Sequence, residues 1–269
     1  MFIQQILHKP ELSKADIVCL LNATGEDMEL LFNHAARIKQ QYIGNTVHLR
    51  ALVELSNSCE KDCYYCGIRK SNSNVHRYSI SENEVLEVIK YAYENGYGSV
   101  ALQSGEIQSN AFTEKITRIL QKTSKLTHGE LGVTLSCGEQ TEETYRKWME
   151  AGASRYLLRI ETSNPELYRK LHPNDDIHRF ERRLEALEML KKTGYQTGTG
   201  VMIGLPFQTI ENLADDLLFM KQFDIDMCGM GPYIEHHETP LFAYKDSLMP
   251  LKERFNLSLK MIAILRILM

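Results

Sequence analysis

From His48 onward, short apolar runs rich in β-branched residues alternate with longer stretches in which apolar residues recur every three to four positions. The runs His48–Leu55, Ser99–Gln103, Leu131–Ser136, Arg155–Ile160, Thr197–Ile203 and Asp226–Met230 predict strands. Cap signals mark the helices between them. Ser81 and Glu84 form a capping box ahead of Val85, Val88, Ile89 and Ala92, and Asn95-Gly96 stops that helix. Thr141, followed by Glu143 and Thr144, opens a helix that ends at Ala151-Gly152. Arg179 to Lys192 ends at Gly194, and Ile210 to Phe223 follows Pro206. Strict strand–helix alternation predicts an α/β fold with a parallel sheet and right-handed crossovers.

Ahead of this lies a helical preface. Two helical patterns from Lys14 to Tyr42 join near Asn22–Gly25, with Leu30, Leu31, His34, Ala35 and Ile38 spaced as an inward face. The expected organisation is a helical segment over 1–45 and a (β/α) body over 46–269. That order suits a TIM-barrel-like closed barrel or an open doubly wound sheet, and both place the site beyond the C-terminal strand ends. Polar and glycine-rich residues gather there. Leu251 to Met269 reads as the sixth helix, so about six β/α units are expected. The reading favoured is a barrel truncated in a fragment, its C-terminal units missing, over a partial barrel with covered edges.

Composition adds little except through cysteine. A formal charge of −4 without a separate basic cluster gives no reason to expect nucleic acid. The apolar start, with Phe2, Ile3, Ile6 and Leu7, is too short and interrupted for a signal segment, and no stretch reaches membrane-spanning length. Six cysteines without such a signal fit a reducing compartment, so a soluble, cytoplasmic protein is expected.

Three of those cysteines, Cys59, Cys63 and Cys66, fall in Ser56-Asn57-Ser58-Cys59-Glu60-Lys61-Asp62-Cys63-Tyr64-Tyr65-Cys66-Gly67, directly after the first strand. Three thiolates can close around an iron–sulfur cubane and leave one iron open. Two alternatives remain. Offsets of four and seven also describe one face of a helix, and structural zinc uses similar spacings but needs a fourth ligand, for which His76 is the nearest candidate.

Other strand ends carry further chemistry. Leu102-Gln103-Ser104-Gly105-Glu106 offers close backbone approach, carbonyls and a carboxylate suited to an ammonium group, or a plain turn. Arg155, Arg159 and Glu161 share strand parity, which suggests a polar chamber or an internal Arg159–Glu161 salt bridge. Thr134 and Ser136 share a face, while Cys137 and Cys228 read as buried thiols. Gly198–Pro206 lacks the helix that a dinucleotide motif requires and reads as an apolar shelf including Met202. His236 and His237 read as a solvated loop.

The cysteine run, with an aromatic residue before its last cysteine, resembles the signature of the radical S-adenosylmethionine superfamily. The segments 102–106, 134–136, 155–162, 201–206 and 229–232 together resemble the [FeFe]-hydrogenase maturases of the HydE type, with biotin synthase and methylornithine synthase as relatives. This resemblance implies a [4Fe–4S] cluster on Cys59, Cys63 and Cys66, with S-adenosylmethionine on the open iron cleaved to a 5′-deoxyadenosyl radical. It implies adenine contacts from Tyr65 and Met202, methionine-amine contacts from Ser104, Gly105 and Glu106, and polar contacts from Ser136 and Glu161. Arg183 would meet the methionine carboxylate, while Gln103, Thr134, Arg155 and Arg159 would line a substrate chamber. The implied substrate is a cysteine-bound organometallic iron complex from a tyrosine-cleaving maturase, its product passing to a GTPase scaffold maturase, with an electron donor as a further partner. An amino-acid mutase like methylornithine synthase, and a catalytically silent cluster- or zinc-binding module, are the competing functions.

Overall fold

The computed structural model describes residues 2–269. Three helices open the chain: α1 (Phe2–Leu7), α2 (Lys14–Leu21) and α3 (Gly25–Tyr42). Strand β1 (Ala51–Ser56) then begins the alternation, followed by α4 (Glu82–Glu94), β2 (Ser99–Ser104), α5 (Asn110–Leu126), β3 (Gly132–Ser136), α6 (Glu142–Glu150) and β4 (Ala153–Leu157). A short helix α7 (Pro165–Leu171) and a 3-10 turn (Asp176–His178) precede α8 (Phe180–Thr193). The remainder is β5 (Gln196–Thr199), β6 (Met202–Ile203), α9 (Ile210–Phe223), β7 (Met227–Cys228), β8 (Gly231–Pro232), a 3-10 segment (Pro240–Ser247) and α10 (Leu251–Leu268).

The expected caps are present. Ser81 and Thr141 accept from the backbone N–H groups of Glu84 and Thr144, and Gly194 ends α8 in the left-handed conformation. All pairings of the six-stranded sheet are parallel, in the order β1-β2-β3-β4-β5-β7. Among the described residues β1 and β7 do not pair with each other, so the barrel is not closed. One face of the sheet, with Val53, Leu55, Val100, Leu102, Val133, Leu135, Tyr156 and Leu158, is buried in the main core beside helix residues such as Val85, Ile116 and Leu187. The inner face is partly wet: Leu52 on β1 is 57% exposed. Helices α1–α3 pack on one another and on α9 and α10, and Ile6, Leu20 and Leu31 belong to the same core as the sheet.

Four strands differ from expectation for local reasons. The first begins at Ala51 rather than His48. The fourth ends at Leu157, and Glu161 takes a left-handed backbone (φ 66°), which breaks the side-chain alternation assumed for Arg155, Arg159 and Glu161. The fifth divides into β5 and β6, and the sixth shortens to β7 with β8 following just beyond its expected end, because the chains close on each other at Gly200, where a Cβ would collide with the Gly229 carbonyl. A separate pairing of β6 with β8 follows that contact.

Candidate active site

The cysteine run leaves the C-terminal end of β1 as an irregular loop rather than a helix, so the helical-stripe alternative is set aside. Polar residues pin the loop from below. Arg77 donates from one terminal nitrogen to the Asn57 and Ile68 carbonyls (2.5 and 2.7 Å) and from the other to the Arg69 and Asn72 carbonyls (2.7 and 3.2 Å). Asp62 accepts from Arg69 at 2.8 Å and from the Ser71 hydroxyl at 2.7 Å. Gly105 lets the end of β2 come close to Ser58 and Cys59, where any side chain would collide. Backbone N–H groups face the sulfurs: that of Glu106 lies 3.3 Å from Cys59 Sγ, and those of Lys61 and Ile68 serve Cys59 and Cys66. Burial pushes the Cys63 thiol up to about 12, against the opposing pull of Arg183 and the Tyr65 hydroxyl.

Beneath the loop lies a buried charge network. Lys61 Nζ donates to Glu139 Oε2 (2.9 Å) and to the Ile177 carbonyl, and lies 3.3 Å from Glu106 Oε1. Arg183 Nε donates to Glu139 Oε1 at 2.6 Å, one terminal nitrogen donates to the Arg159 carbonyl at 2.5 Å, and the other stands 4.0 Å from Glu106 Oε2. Arg182 Nε donates to Glu139 Oε2 at 3.1 Å. Burial raises the Glu106 carboxyl above its ordinary range, reinforced by Glu139. Burial acts upward on Glu139 as well, but Arg183 and Lys61 outweigh it and hold Glu139 low. Glu139 thus meets three cations, with Glu106 beside two of them, in keeping with the rule that buried charges are paired.

The residues expected at the site fall into two groups. On the inner face, Gln103 stands in register with Glu54 and Ser136, donating to Glu54 Oε1 at 3.0 Å, and Thr134 stands in register with Arg155. Arg155 Nε donates to Gln196 at 2.7 Å. At the strand ends, Arg159 lies 3.0 Å from Glu161 Oε2, so the internal ion pair is present. Its geometry leaves Arg159 Nε and Glu161 Oε2 without a hydrogen bond, and Thr134 Oγ1 is a third buried polar atom lacking one. Ser104 donates to the Gly105 carbonyl (2.7 Å), and the Glu106 carboxylate accepts the Glu139 N–H (2.9 Å). Tyr65 and Met202 pack on one satellite cluster of Leu167, Leu171, Leu205, Tyr233 and Leu241.

Cys137 is fully buried, whereas Cys228 is half-buried, 3.4 Å from the Met220 sulfur. His236 is not simply solvated: its ring packs against Gly67, next to Cys66. His76 is exposed, its carbonyl accepting from Asn57. Among the described residues, no group of three or more His, Cys, Asp and Glu side chains converges on a point that could hold one metal ion. That disfavours zinc, whose donors meet at one centre, but not a cubane, in which each thiolate takes its own iron.

Sequence reasoning gave no role to Lys61, Arg77, Glu139, His172 or Asp216. Lys61 and Glu139 carried a signal, one inside the cysteine spacing and the other just past a strand end. His172 is buried at the end of α7 and hydrogen-bonded through Nδ1 to the Tyr168 carbonyl at 2.9 Å, with burial lowering it to about 3, so its ring is neutral. Asp216 on α9 is fully buried, and its Oδ1 accepts the Ser163 N–H (2.5 Å) and hydroxyl (2.7 Å).

The radical SAM superfamily model matches residues 53–220. The chain is 47% identical over 241 residues to the [FeFe] hydrogenase maturase subunit HydE of Thermotoga maritima, covering 90% of this chain and 66% of that protein. It is 30% identical over 270 residues to the 3-methylornithine synthase of Methanosarcina acetivorans, covering 99% of this chain and 73% of that one. The crystal structure of methylornithine synthase PylB superposes with a TM-score of 0.85 at 26% identity, covering 100% of this chain and 76% of that one. The maturase HydG shares the fold, with a TM-score of 0.80 at 22% identity over 98% of this chain and 59% of that one. Loop, fold and likeness agree: the chain belongs to the radical SAM superfamily, whose enzymes use a [4Fe–4S] cluster and S-adenosylmethionine.

Proposed function

We propose that this chain acts in assembly of the [FeFe]-hydrogenase metal centre, as a radical SAM enzyme of the HydE type working on a sulfur-bearing organometallic iron substrate. The 47% identity to the Thermotoga maritima maturase supports that choice within the superfamily. The observation that carries the enzymatic part is the cysteine loop, with three thiols and N–H groups aimed at the sulfurs of Cys59 and Cys66. These residues fit the cluster. Cys59, Cys63 and Cys66 would hold three irons and leave the fourth for the amino and carboxylate groups of S-adenosylmethionine. When bound, that pair supplies a one-electron reduction that breaks a carbon–sulfur bond.

The chain's own residues bind and orient. Tyr65 and Met202 would flank the adenine on their shared apolar cluster. The Ser104–Gly105–Glu106 turn would take the methionine amine, and the Arg183 terminal nitrogen that stands 4.0 Å from Glu106 its carboxylate. Ser136 and Glu161 would meet the polar groups of the nucleoside or amine. Gln103, Thr134, Arg155 and Arg159 would line the substrate chamber, where the unpartnered atoms Thr134 Oγ1 and Arg159 Nε await a ligand. Buried polar groups cost stability unless something pairs with them. A tyrosine-cleaving maturase, a GTPase scaffold and an electron donor are the proposed partners.

Anaerobic reconstitution tests the reading. About four irons per chain and release of 5′-deoxyadenosine on reduction are expected, with Cys63→Ala assembling no cluster. One zinc per chain and no cleavage would leave a silent metal-binding module. The likeness to methylornithine synthases along the whole chain supports a second reading, an amino-acid mutase. Hydrogenase genes beside this one would favour maturation over it.

A further inference from the structure

The C-terminus of α7 docks on the cysteine loop at two points. The Leu171 carbonyl, one of the helix's unsatisfied terminal acceptors, accepts the Tyr64 N–H at 2.9 Å. One residue later, His172 faces Tyr65. Its ring stacks on Tyr168 (3.9 Å between centroids, 22° between planes) and meets the Tyr65 ring edge-on (5.4 Å, 89°). Because a carbonyl can only accept, the bond from Nδ1 to the Tyr168 carbonyl places the ring proton on Nδ1. In a neutral ring Nε2 is then an acceptor. It lies 3.4 Å from the Tyr65 hydroxyl, whose single proton can go to it or to the Cys63 sulfur on the other side.

We propose that His172 is a positioning residue for the S-adenosylmethionine site: with its tautomer fixed by the Tyr168 carbonyl, its Nε2 accepts the Tyr65 hydroxyl and sets the plane of the Tyr65 ring. The consequence for cofactor binding rests on the reading given under Proposed function; the tautomer and the hydrogen bond do not. Tyr65 has two soft torsions, and it packs on the apolar cluster. A hydrogen bond at the far end of the side chain removes the remaining swing. Outer groups of this kind orient inner ones at metal centres generally. The stack on Tyr168 and the cap on Leu171 keep the acceptor in place beside the loop.

Nitrogen NMR of the histidines in the metal-free chain reads the tautomer directly. A protonated Nδ1 and bare Nε2 on His172 are expected; a proton on Nε2 overturns the proposal. In the reconstituted protein, His172→Phe keeps the stack but deletes the acceptor, whereas His172→Gln loses the stack and restores an acceptor. The expectation is a roughly five- to tenfold weaker Kd for S-adenosylmethionine in the Phe variant, with iron content unchanged and affinity largely recovered in the Gln variant. Tyr65→Phe should weaken binding to a similar extent, and the double variant Tyr65→Phe, His172→Phe no further than either alone. Additive losses, or wild-type affinity in His172→Phe, overturn the proposal. If the wild-type reconstituted protein binds no S-adenosylmethionine, the proposed function fails, and the NMR tautomer still decides whether His172 faces Tyr65 as an acceptor.

Discussion

Arg183 Nε donates to Glu139 Oε1 at 2.6 Å, both side chains buried, so the guanidinium expected to receive a ligand carboxylate already holds a protein one. Glu139 is also the acceptor for Lys61 and Arg182, which makes it the anion on which three cations depend. Glu139→Ala is therefore expected to lower stability by about 3–5 kcal/mol, the cost of leaving buried charge unpaired. Glu139→Gln should recover part of this loss. Thermal denaturation of the metal-free protein checks both, and an alanine variant as stable as wild type would remove the network from any account of the fold.

Arg77 gathers four carbonyls of the cysteine loop with its two terminal nitrogens. Only a planar fork can do this, and a lysine ammonium cannot reproduce the geometry. Arg77→Lys is thus expected to behave like Arg77→Ala, with slower and incomplete iron incorporation measured by absorbance during reconstitution. Wild-type uptake in the lysine variant would show that charge alone suffices.

Gly105→Ala would drive a methyl group into the Ser58 carbonyl and the Cys59 side chain. The loop must shift to accept it, and the expected result is a folded protein with strongly reduced iron content. Gly98→Ala is the control, since a Cβ there meets nothing within 4 Å and the backbone is unstrained. Equal iron content in the two variants would disprove the close-approach argument.

Asp216 links burial to pH. Burial is the main cause of its rise from 3.8 to about 6, against hydrogen bonds from Ser163 and Thr162. A folded carboxyl that holds its proton more tightly than the unfolded one makes stability fall as pH rises between the two values. The protein should gain about 2 kcal/mol from this group on acidification from pH 6 to pH 4. Asp216→Asn keeps an oxygen for Ser163 and gives the unpartnered Oδ2 position a neutral group. Its denaturant midpoint is expected to be less dependent on pH over that window; an unchanged slope would count against the assignment.

Much of the architecture was legible because caps and periodicity are local signals. Ile210–Phe223 matches the expected helix residue for residue, and Ser81 and Glu84 form the expected capping box. The cysteine loop was legible for the same reason. Less accessible was whatever depends on distant partners: Lys61 and Glu139 are 78 positions apart, and neither reads as buried beside its polar neighbours. Helix α7, with seven residues, is too short for a periodic signature, so His172 went unassigned. The kink at Glu161 escaped because strand parity assumes an extended backbone, and a non-glycine residue at φ 66° gives no warning in sequence.

At the crossing of Gly200 and Gly229 two neighbouring strands touch without an intervening side chain. The bend in one is therefore the bend in the other, and Met202 and Gly231 emerge from a single joint, aimed into a different pairing plane from the residues before it. A methyl added at position 200 would act on both chains together, so the path toward Met202 depends on what position 200 lacks.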